Sequence, residues 1–161
     1  MPIRVSNVTA RPDGLGPHPG GVADETRRRM VRQRRRDTAP EVRLRSELYA
    51  AGLRYRVDRR PDPALRWRAD LVFIRSRVAV FVDGCFWHGC TEHGSLPKNN
   101  RSWWGHKLEL NMARDVVVTT ELTSRGWTVV RVWEHDDTHH AAERIAGLVA
   151  QRQACTRKRR Q

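Results

Sequence analysis

The residues whose types and spacing could support chemistry are concentrated in one segment, Val78 to His93, with the sequence VAVFVDGCFWHGCTEH. Four residues separate Cys85 from Cys90, and two more separate Cys90 from His93. Thiolates and imidazoles at this spacing can occupy three corners of a zinc tetrahedron. His135, which follows a later apolar run, is the candidate for the fourth corner. The pattern predicts a structural zinc site, and the alternative is that the two cysteines are buried only for packing.

A second set of side chains predicts the hydrolysis of a phosphodiester. Asp70 interrupts an otherwise apolar run, and a buried carboxylate is costly unless something compensates its charge. Mg²⁺ prefers oxygen ligands, so we predict a magnesium site formed by Asp70 and the end of the following strand. His88 is a poor fifth ligand for a tetrahedral zinc, whereas an imidazole that titrates near neutral pH can activate water. We therefore predict that His88 is the general base.

Apolar spacing indicates how these side chains are positioned. The run from Val78 to Val82 predicts a strand buried on both faces, and the apolar run before it predicts an antiparallel neighbour. A hairpin that turns about Ser76 would place Asp70 opposite Val82 and beside Asp83. This geometry brings a carboxylate next to the end of the central strand.

The remaining patterns predict three helices and two further strands. We place the first helix between a cap at Asp37 or Thr38 and Gly52, the other helices at residues 102–124 and 137–152, and the strands at residues 53–57 and 127–133. Glu41 falls on the apolar stripe of the first helix, and Asn111 and Asp115 fall on that of the second, so all three are expected to border the site. The structural alternatives are that Glu41 only favours the helix dipole and that Asn111 and Asp115 lie on a solvated shoulder.

Charge and composition indicate a nucleic-acid partner. The 161 residues include 31 Lys and Arg against 18 Asp and Glu, a formal net charge of +13. Such an excess favours a polyanion, and nucleic acid is favoured over a membrane because no amphipathic basic helix or apolar span is visible. No signal peptide is visible either, so we expect a cytoplasmic protein that joins the nucleoid when bound to DNA. In that reducing compartment three cysteines favour metal binding over disulfides, with Cys155 a bystander.

One folded domain is expected over residues 25–153. Residues 1–24 are rich in Pro and Gly without periodicity, which is typical of a disordered leader, and residues 154–161 form a basic tail. The domain begins with a basic arm at residues 25–37, where seven of the thirteen residues are arginines. Such an arm is expected to contact phosphates and to raise affinity without reading sequence, and the alternative is a solvated segment.

Taken together, these residues resemble the very-short-patch mismatch repair (Vsr) endonuclease family. The resemblance covers about Arg27 to Asp136 and rests on the motifs Arg68-Ala69-Asp70, VFVDGCFWHGC, Arg114-Asp115 and the GW and VWE of the last strand. It implies an α/β, restriction-endonuclease-like (PD-(D/E)xK) fold, with a mixed sheet flanked by helices and a structural zinc site. It also implies a Mg²⁺-dependent enzyme that nicks double-stranded DNA beside the T of a T:G mismatch left by deamination of 5-methylcytosine. We expect this enzyme to be a monomer.

The resemblance assigns site residues position by position. Asp70 resembles the family's metal-binding catalytic aspartate, His88 its proposed general base, and Glu41 and Asp115 the acidic residues that border the site. The implied zinc ligands, at or within a residue of the family's positions, are Cys85, Cys90, His93 and His135. The implied DNA contacts are the aromatic residues Phe86, Trp87 and Trp104, the arm residues Arg28, Arg29 and Met30, and Asn111. For the three aromatics, the alternative is a place in the core.

The sequence departs from the family at the end of the central strand. The best-known member has a Thr-His pair before the Gly-Cys, where this chain has Val82-Asp83. Val82 can therefore offer magnesium only its backbone carbonyl, and Asp83 joins Glu41 as a catalytic candidate should His88 not be the base. Two other functions stay open: a restriction- or junction-type nuclease of the same fold that needs no mismatch, and a zinc-stabilised DNA-binding module without activity.

Overall fold

The chain forms a mixed α/β fold in the computed structural model, which describes Gly20, Arg28 and residues 36–93 and 96–158, the side chains of residues 156–158 excepted. The elements in chain order are α1 (Ala39–Ala50), β1 (Arg56–Arg59), β2 (Ala69–Phe73), β3 (Val78–Asp83), α2 (Arg101–Ser124), β4 (Thr128–Trp133) and α3 (Thr138–Lys158). The predicted order of helix, three strands, helix, strand and helix is confirmed. The predicted leader, most of the predicted arm with Arg29 and Met30, and the end of the tail lie outside the described residues.

The four strands form one sheet in the order β1-β2-β3-β4, with helices packed on both faces. β2 is antiparallel to β1 and to β3, whereas β3 and β4 are parallel. One apolar cluster joins the sheet to Leu44 and Leu48 of α1 and Ile145 of α3. A second joins the sheet to Val118 and Leu122 of α2. β3 is therefore buried on both faces, as its continuous apolar sequence predicts.

The register of the β2–β3 hairpin differs by one residue from the prediction. Phe73 pairs with Val78 and Leu71 with Val80, so Asp70 comes opposite Phe81 and not opposite Val82. The turn contains the four residues 74–77, closed by a bond of 3.3 Å from the Arg77 N–H to the Ile74 carbonyl. Arg77 takes a left-handed φ of 53°, which lets the turn close without the symmetry about Ser76 that we expected.

Two other element boundaries depart from the sequence prediction. β1 begins at Arg56, since Leu53 and Tyr55 pack against the core before strand pairing starts. The Tyr55 hydroxyl donates to the Arg45 carbonyl of α1 at 2.7 Å, which holds this stretch against the helix. α3 continues past Arg152 to Lys158 because no Gly or Pro interrupts that stretch. Among the described residues, no helix has the length and apolar character needed to cross a membrane.

Candidate active site and metal centre

The predicted site residues converge where β3 and β4 end. These strands are parallel, and Asp83 at the end of β3 pairs with Trp133 at the end of β4. The Glu134 N–H donates to the Asp83 carbonyl at 2.9 Å, so the two chains leave the sheet together. The segment after Asp83 carries the cysteines and His88, and the segment after Trp133 carries His135. The sheet thereby brings side chains about fifty positions apart into one cluster.

The structure brings the four predicted zinc ligands together. One ligand atom from each of Cys85, Cys90, His93 and His135 lies within 4.8 Å of all the others. His135 Nδ1 is 2.9 Å from Cys85 Sγ and 3.9 Å from Cys90 Sγ, and His93 Nδ1 is also 3.9 Å from Cys90 Sγ. Ligand atoms of a tetrahedral zinc site lie about 3.3–3.8 Å apart, so this group requires only small adjustments to enclose an ion.

Neighbouring groups act on the second nitrogen of His135 and on the ionisation of the two cysteines. His135 turns Nδ1 towards the sulfurs, while its Nε2 is 3.7 Å from a Glu92 oxygen and 3.8 Å from an Asp136 oxygen. Metal-bound histidines commonly present their second nitrogen to a carboxylate in this way. Burial, the neighbouring Cys90 and Glu134 raise the pKa of the Cys85 thiol to about 12. Burial also acts to raise the pKa of Cys90, but hydrogen bonds from His93 and Glu92 outweigh it and lower that pKa.

Glu134 stabilises the loop of residues 84–93, here called the metal loop. In the sequence, Glu134 stood out only as part of the family motif VWE. Its Oε1 accepts a hydrogen bond of 2.7 Å from the Cys85 N–H, which fastens the start of the loop to the end of β4. Gly89 completes the loop with a φ of +68°, and a Cβ there would lie 2.8 Å from the Met112 sulfur. Both the backbone angle and the close packing therefore require glycine between His88 and Cys90.

Asp70 is largely buried, and within the described part of the chain no cationic side chain forms an ion pair with it. Its Oδ2 accepts a hydrogen bond of 2.7 Å from the Val82 N–H. Burial, together with the negative charges of Glu41, Asp83 and Asp58, raises the pKa of Asp70 to about 6 against the effect of that bond. The Val82 carbonyl points to the same side of β3 as the Val82 N–H, beyond the last β2–β3 pair. These oxygens fit a hard divalent cation, which would compensate the charge.

Glu41 caps the start of α1 and lies close enough to Asp70 for its charge to act there. Its Oε1 accepts from the Thr38 hydroxyl at 2.8 Å and its Oε2 from the Asp37 N–H at 3.0 Å, which stabilises the start of α1. Its charge is also close enough to Asp70 to contribute to the raised pKa there. Glu41 therefore borders the Asp70 site while its oxygens are engaged in capping.

His88 is held by a network of three charged residues. Its Nδ1 lies 2.5 Å from Asp115 Oδ2 and 3.6 Å from Asp83 Oδ1. Burial acts to raise the pKa of Asp115, but the hydrogen bond and charge of His88 and the charges of Arg131 and Arg114 lower it. An ionised carboxylate on Nδ1 fixes the ring and leaves Nε2 as the nitrogen that can take a proton from water.

Arg131 is the site residue that our sequence analysis missed. Its Nη1 lies 2.7 and 2.9 Å from the two Asp83 oxygens, and its Nη2 lies 3.1 Å from Asp115 Oδ1. Asp83, only 4% exposed, is thus paired and not free to act as a base. The available signal was a charged residue inside the apolar run WTVVRVW, the same signal that identified Asp70.

The three predicted DNA-contacting aromatics form one cluster. Phe86 packs edge-on against Trp87 and Trp104 with ring centroids 5.0 and 5.3 Å apart, and Trp87 and Trp104 are 5.9 Å apart. Trp104 is only 4% exposed, whereas Phe86 and Trp87 are half-buried. Asn111 donates to the Trp87 carbonyl at 3.0 Å and so supports this loop from α2. Trp104 therefore forms the base of the cluster. Arg28, another predicted DNA contact, is exposed.

Comparison with known proteins gives concordant matches. Residues 22–93 match the family model described as DNA mismatch endonuclease Vsr. The chain is 41% identical to the type II nicking enzyme V.NaeI of Lentzea aerocolonigenes over 138 residues, 84% of this chain and 83% of that protein. It is 40% identical to V.XorIIP of Xanthomonas oryzae over 116 residues, 70% and 82% of the two chains. It is 39% identical to the DNA mismatch endonuclease Vsr of Escherichia coli over 102 residues, 62% of each chain.

Proposed function

Because the chain belongs to the family of the DNA mismatch endonuclease Vsr and the related type II nicking enzymes, we propose that it nicks one strand of duplex DNA beside the T of a T:G mismatch. The proposal is carried by one observation, the His88–Asp115 pair after β3, which lies next to Asp83, whose charge also acts on the carboxylate of Asp70. An oriented imidazole and a cation-binding carboxylate are what the hydrolysis of a phosphodiester requires. Deamination of 5-methylcytosine would supply such mismatches.

The fold proposed for this enzyme is restriction-endonuclease-like. Support comes from the mixed four-stranded sheet with helices on both faces, and from the β2–β3 hairpin that carries Asp70 at its start. We propose a monomer that holds structural zinc at the Cys/His group and magnesium at Asp70 and the Val82 carbonyl. Bound magnesium would stabilise negative charge on the phosphate and on the departing oxygen.

In the proposed reaction, His88 accepts the proton of the attacking water at Nε2. Asp115 holds Nδ1 at 2.5 Å and stabilises the imidazolium that forms. Asp115 is itself held by Arg131 at 3.1 Å, so the ring has little freedom to rotate. Orientation of this kind lowers the barrier because the base is already aligned before the water reacts.

Replacing His88 with alanine is expected to lower kcat on a T:G duplex by about 10²-fold, the usual scale for loss of a general base. DNA binding should change little, since the charge of the protein is nearly unaltered. Single-turnover nicking rates at saturating enzyme measure this effect. The matched control is His139→Ala, because His139 is 69% exposed on α3. Wild-type rates in the His88 variant would mean that a group other than His88 accepts the proton, since Asp83 is paired with Arg131 and the Glu41 oxygens cap α1.

For mismatch recognition, we propose that the aromatic cluster inserts between base pairs at the mismatch. The wobble pair stacks poorly, so separating its bases costs less than separating those of a matched step. The net charge of +13 and the arginine-rich arm would supply affinity for phosphates without distinguishing the two duplexes.

Replacing Trp87 with alanine is expected to weaken T:G binding by about 1–3 kcal/mol, the scale of base–aromatic stacking. Binding to the matched duplex should change much less, and equilibrium titrations of both duplexes measure the difference. Trp104→Ala serves as a comparison, because its burial predicts a lower thermal midpoint as well. Equal losses on both duplexes, or a collapsed midpoint for Trp87→Ala, would assign Trp87 to the core.

A plasmid with a single T:G mismatch tests the proposed function. Nicking converts supercoiled plasmid to open circles, and we expect this conversion with Mg²⁺ but not without it, and much faster than on the homoduplex plasmid. Linear product, or equal rates on both plasmids, would favour the second candidate, a nuclease that needs no mismatch. That candidate has support of its own, since the names of V.NaeI and V.XorIIP speak of type II nicking and mention no mismatch. The absence of both nicked and linear product would support the remaining alternative, a zinc-stabilised DNA-binding module without activity.

A further inference from the structure

We propose that Arg131 is a positioning residue for nicking, which binds Asp83 and so, of the two carboxylates beside His88, leaves Asp115 to hold the ring. This inference rests on the proposed function, because it concerns how the general base is oriented. It assigns a reaction role to a residue of β4 whose side chain lies between β3 and α2.

Two carboxylates compete for one ring nitrogen of His88. Asp115 Oδ2 is 2.5 Å and Asp83 Oδ1 is 3.6 Å from the same Nδ1. The Nδ1–H can make one good hydrogen bond, and each choice aims Nε2 in a different direction. Without a further partner, the buried negative charge of Asp83 would attract the ring away from Asp115.

The planar guanidinium of Arg131 determines which of the two carboxylates binds His88. Nη1 takes both Asp83 oxygens, at 2.7 and 2.9 Å, while Nη2 reaches Asp115 Oδ1 at 3.1 Å. One guanidinium thus compensates Asp83 and at the same time fixes the carboxylate that orients His88. A lysine offers a single ammonium and could not hold both partners in this geometry.

Other elements hold the guanidinium of Arg131 in place. Its carbon lies 5.1 Å from the centre of the Phe81 ring, and Nε is 3.5 Å from the Thr119 hydroxyl of α2. Nη2 also lies 3.4 Å from the Asp115 carbonyl. These contacts from β3 and α2 keep the guanidinium at one position, so its effect on Asp83 and Asp115 is built into the fold.

The variant Arg131→Met tests the inference, because the loss of a positioning residue should lower kcat and leave KM nearly unchanged. We expect kcat on the T:G duplex to fall about 10-fold to 100-fold, the effect of a misaligned catalytic group, with KM for DNA within about twofold. Adding Asp83→Asn should restore most of kcat, because the competing charge is then gone. Asp83→Asn alone should cost less than Arg131→Met. Arg125→Met is the matched control, since the Arg125 side chain forms surface ion pairs with Asp62 and Glu121.

The outcomes separate this inference from the proposed function. A wild-type protein that does not nick T:G DNA contradicts the proposed function itself. An active wild type with unchanged kcat in Arg131→Met, or a loss that Asp83→Asn does not relieve, overturns the role of Arg131 alone. If Arg131→Met does not fold, Arg131→Lys enters the same comparison, with an expected loss of about 10-fold that Asp83→Asn again relieves. A loss that appears only in KM also overturns the inference.

Discussion

Replacing Asp70 with asparagine is expected to abolish nicking and, without magnesium, to stabilise the protein. Burial raises the pKa of Asp70 from its usual value of 3.8 to about 6. The folded protein therefore binds this proton more tightly than the unfolded chain, and the stabilisation from the protonated carboxyl is lost as pH rises through 6. A difference of about two pKa units corresponds to roughly 3 kcal/mol at pH 8. Asparagine avoids this cost and can still accept the Val82 N–H.

The measurement compares unfolding of the wild type and Asp70→Asn in magnesium-free buffer with zinc retained. The stabilisation should be nearly full at pH 8, should fall mainly between pH 6 and pH 4, and should vanish below the ordinary pKa of 3.8, where the carboxyl is neutral in both the folded and the unfolded protein. Glu121→Gln, a carboxylate-to-amide change on the exposed side of α2, is the control and should show no such pH dependence. Equal stability of the two proteins at pH 8 would mean that the Asp70 charge is compensated. Residual nicking by the variant would place the metal elsewhere.

Replacing Cys85 with serine is expected to remove zinc and much of the stability together. Cys85 is buried, its sulfur contacts the His135 ring at 2.9 Å, and it supplies one of the four ligand atoms that lie within 4.8 Å of one another. Structural zinc contributes on the order of 10 kcal/mol of binding free energy, which is comparable with the whole stability of a domain. The thermal midpoint should therefore fall sharply.

Metal analysis and thermal unfolding of the same samples check this prediction. As purified, the wild type should contain about one zinc per chain, as expected for one four-ligand site. Cys155→Ser is the matched control, because Cys155 is exposed and free, and both zinc content and midpoint should be unchanged. Well-folded wild-type protein without zinc would contradict the account, as would an equal loss in the Cys155 variant.

Features of the fold that depend on local pattern could be predicted from sequence. The continuous apolar run fixed the burial of β3, and three-four spacing placed Asp115 on the inward face of α2, where it meets His88. Placing His135 beside Cys85 required only that β3 and β4 be parallel neighbours, which a strand–helix–strand unit favours. These inferences succeeded because burial and element order follow from the local pattern of apolar residues along the chain.

Features set by turn geometry or by long-range charge pairing could not be predicted in this way. The β2–β3 register depended on whether the turn has three or four residues, and Arg77, a poor residue for positive φ, gave no warning of the longer turn. The Asp83–Arg131 pair joins residues of two different strands. In the sequence alone, Arg131 received no functional prediction and the role of Asp83 was left open. Trp104 could be placed on the apolar stripe of α2, but its burial beneath Phe86 and Trp87 depends on the fold of the metal loop.

The proposed mismatch specificity is tested most directly by one rate ratio. Two end-labelled duplexes differ only in the base opposite one T, which is G in the first and A in the second, and single-turnover nicking of the T strand is measured on each with Mg²⁺. Because the wobble pair is easier to unstack, we expect the T:G duplex to be cut beside that T about 5-fold to 160-fold faster, the rate equivalent of about 1–3 kcal/mol. Equal rates on the two duplexes, or cuts unrelated to that T, would contradict this expectation.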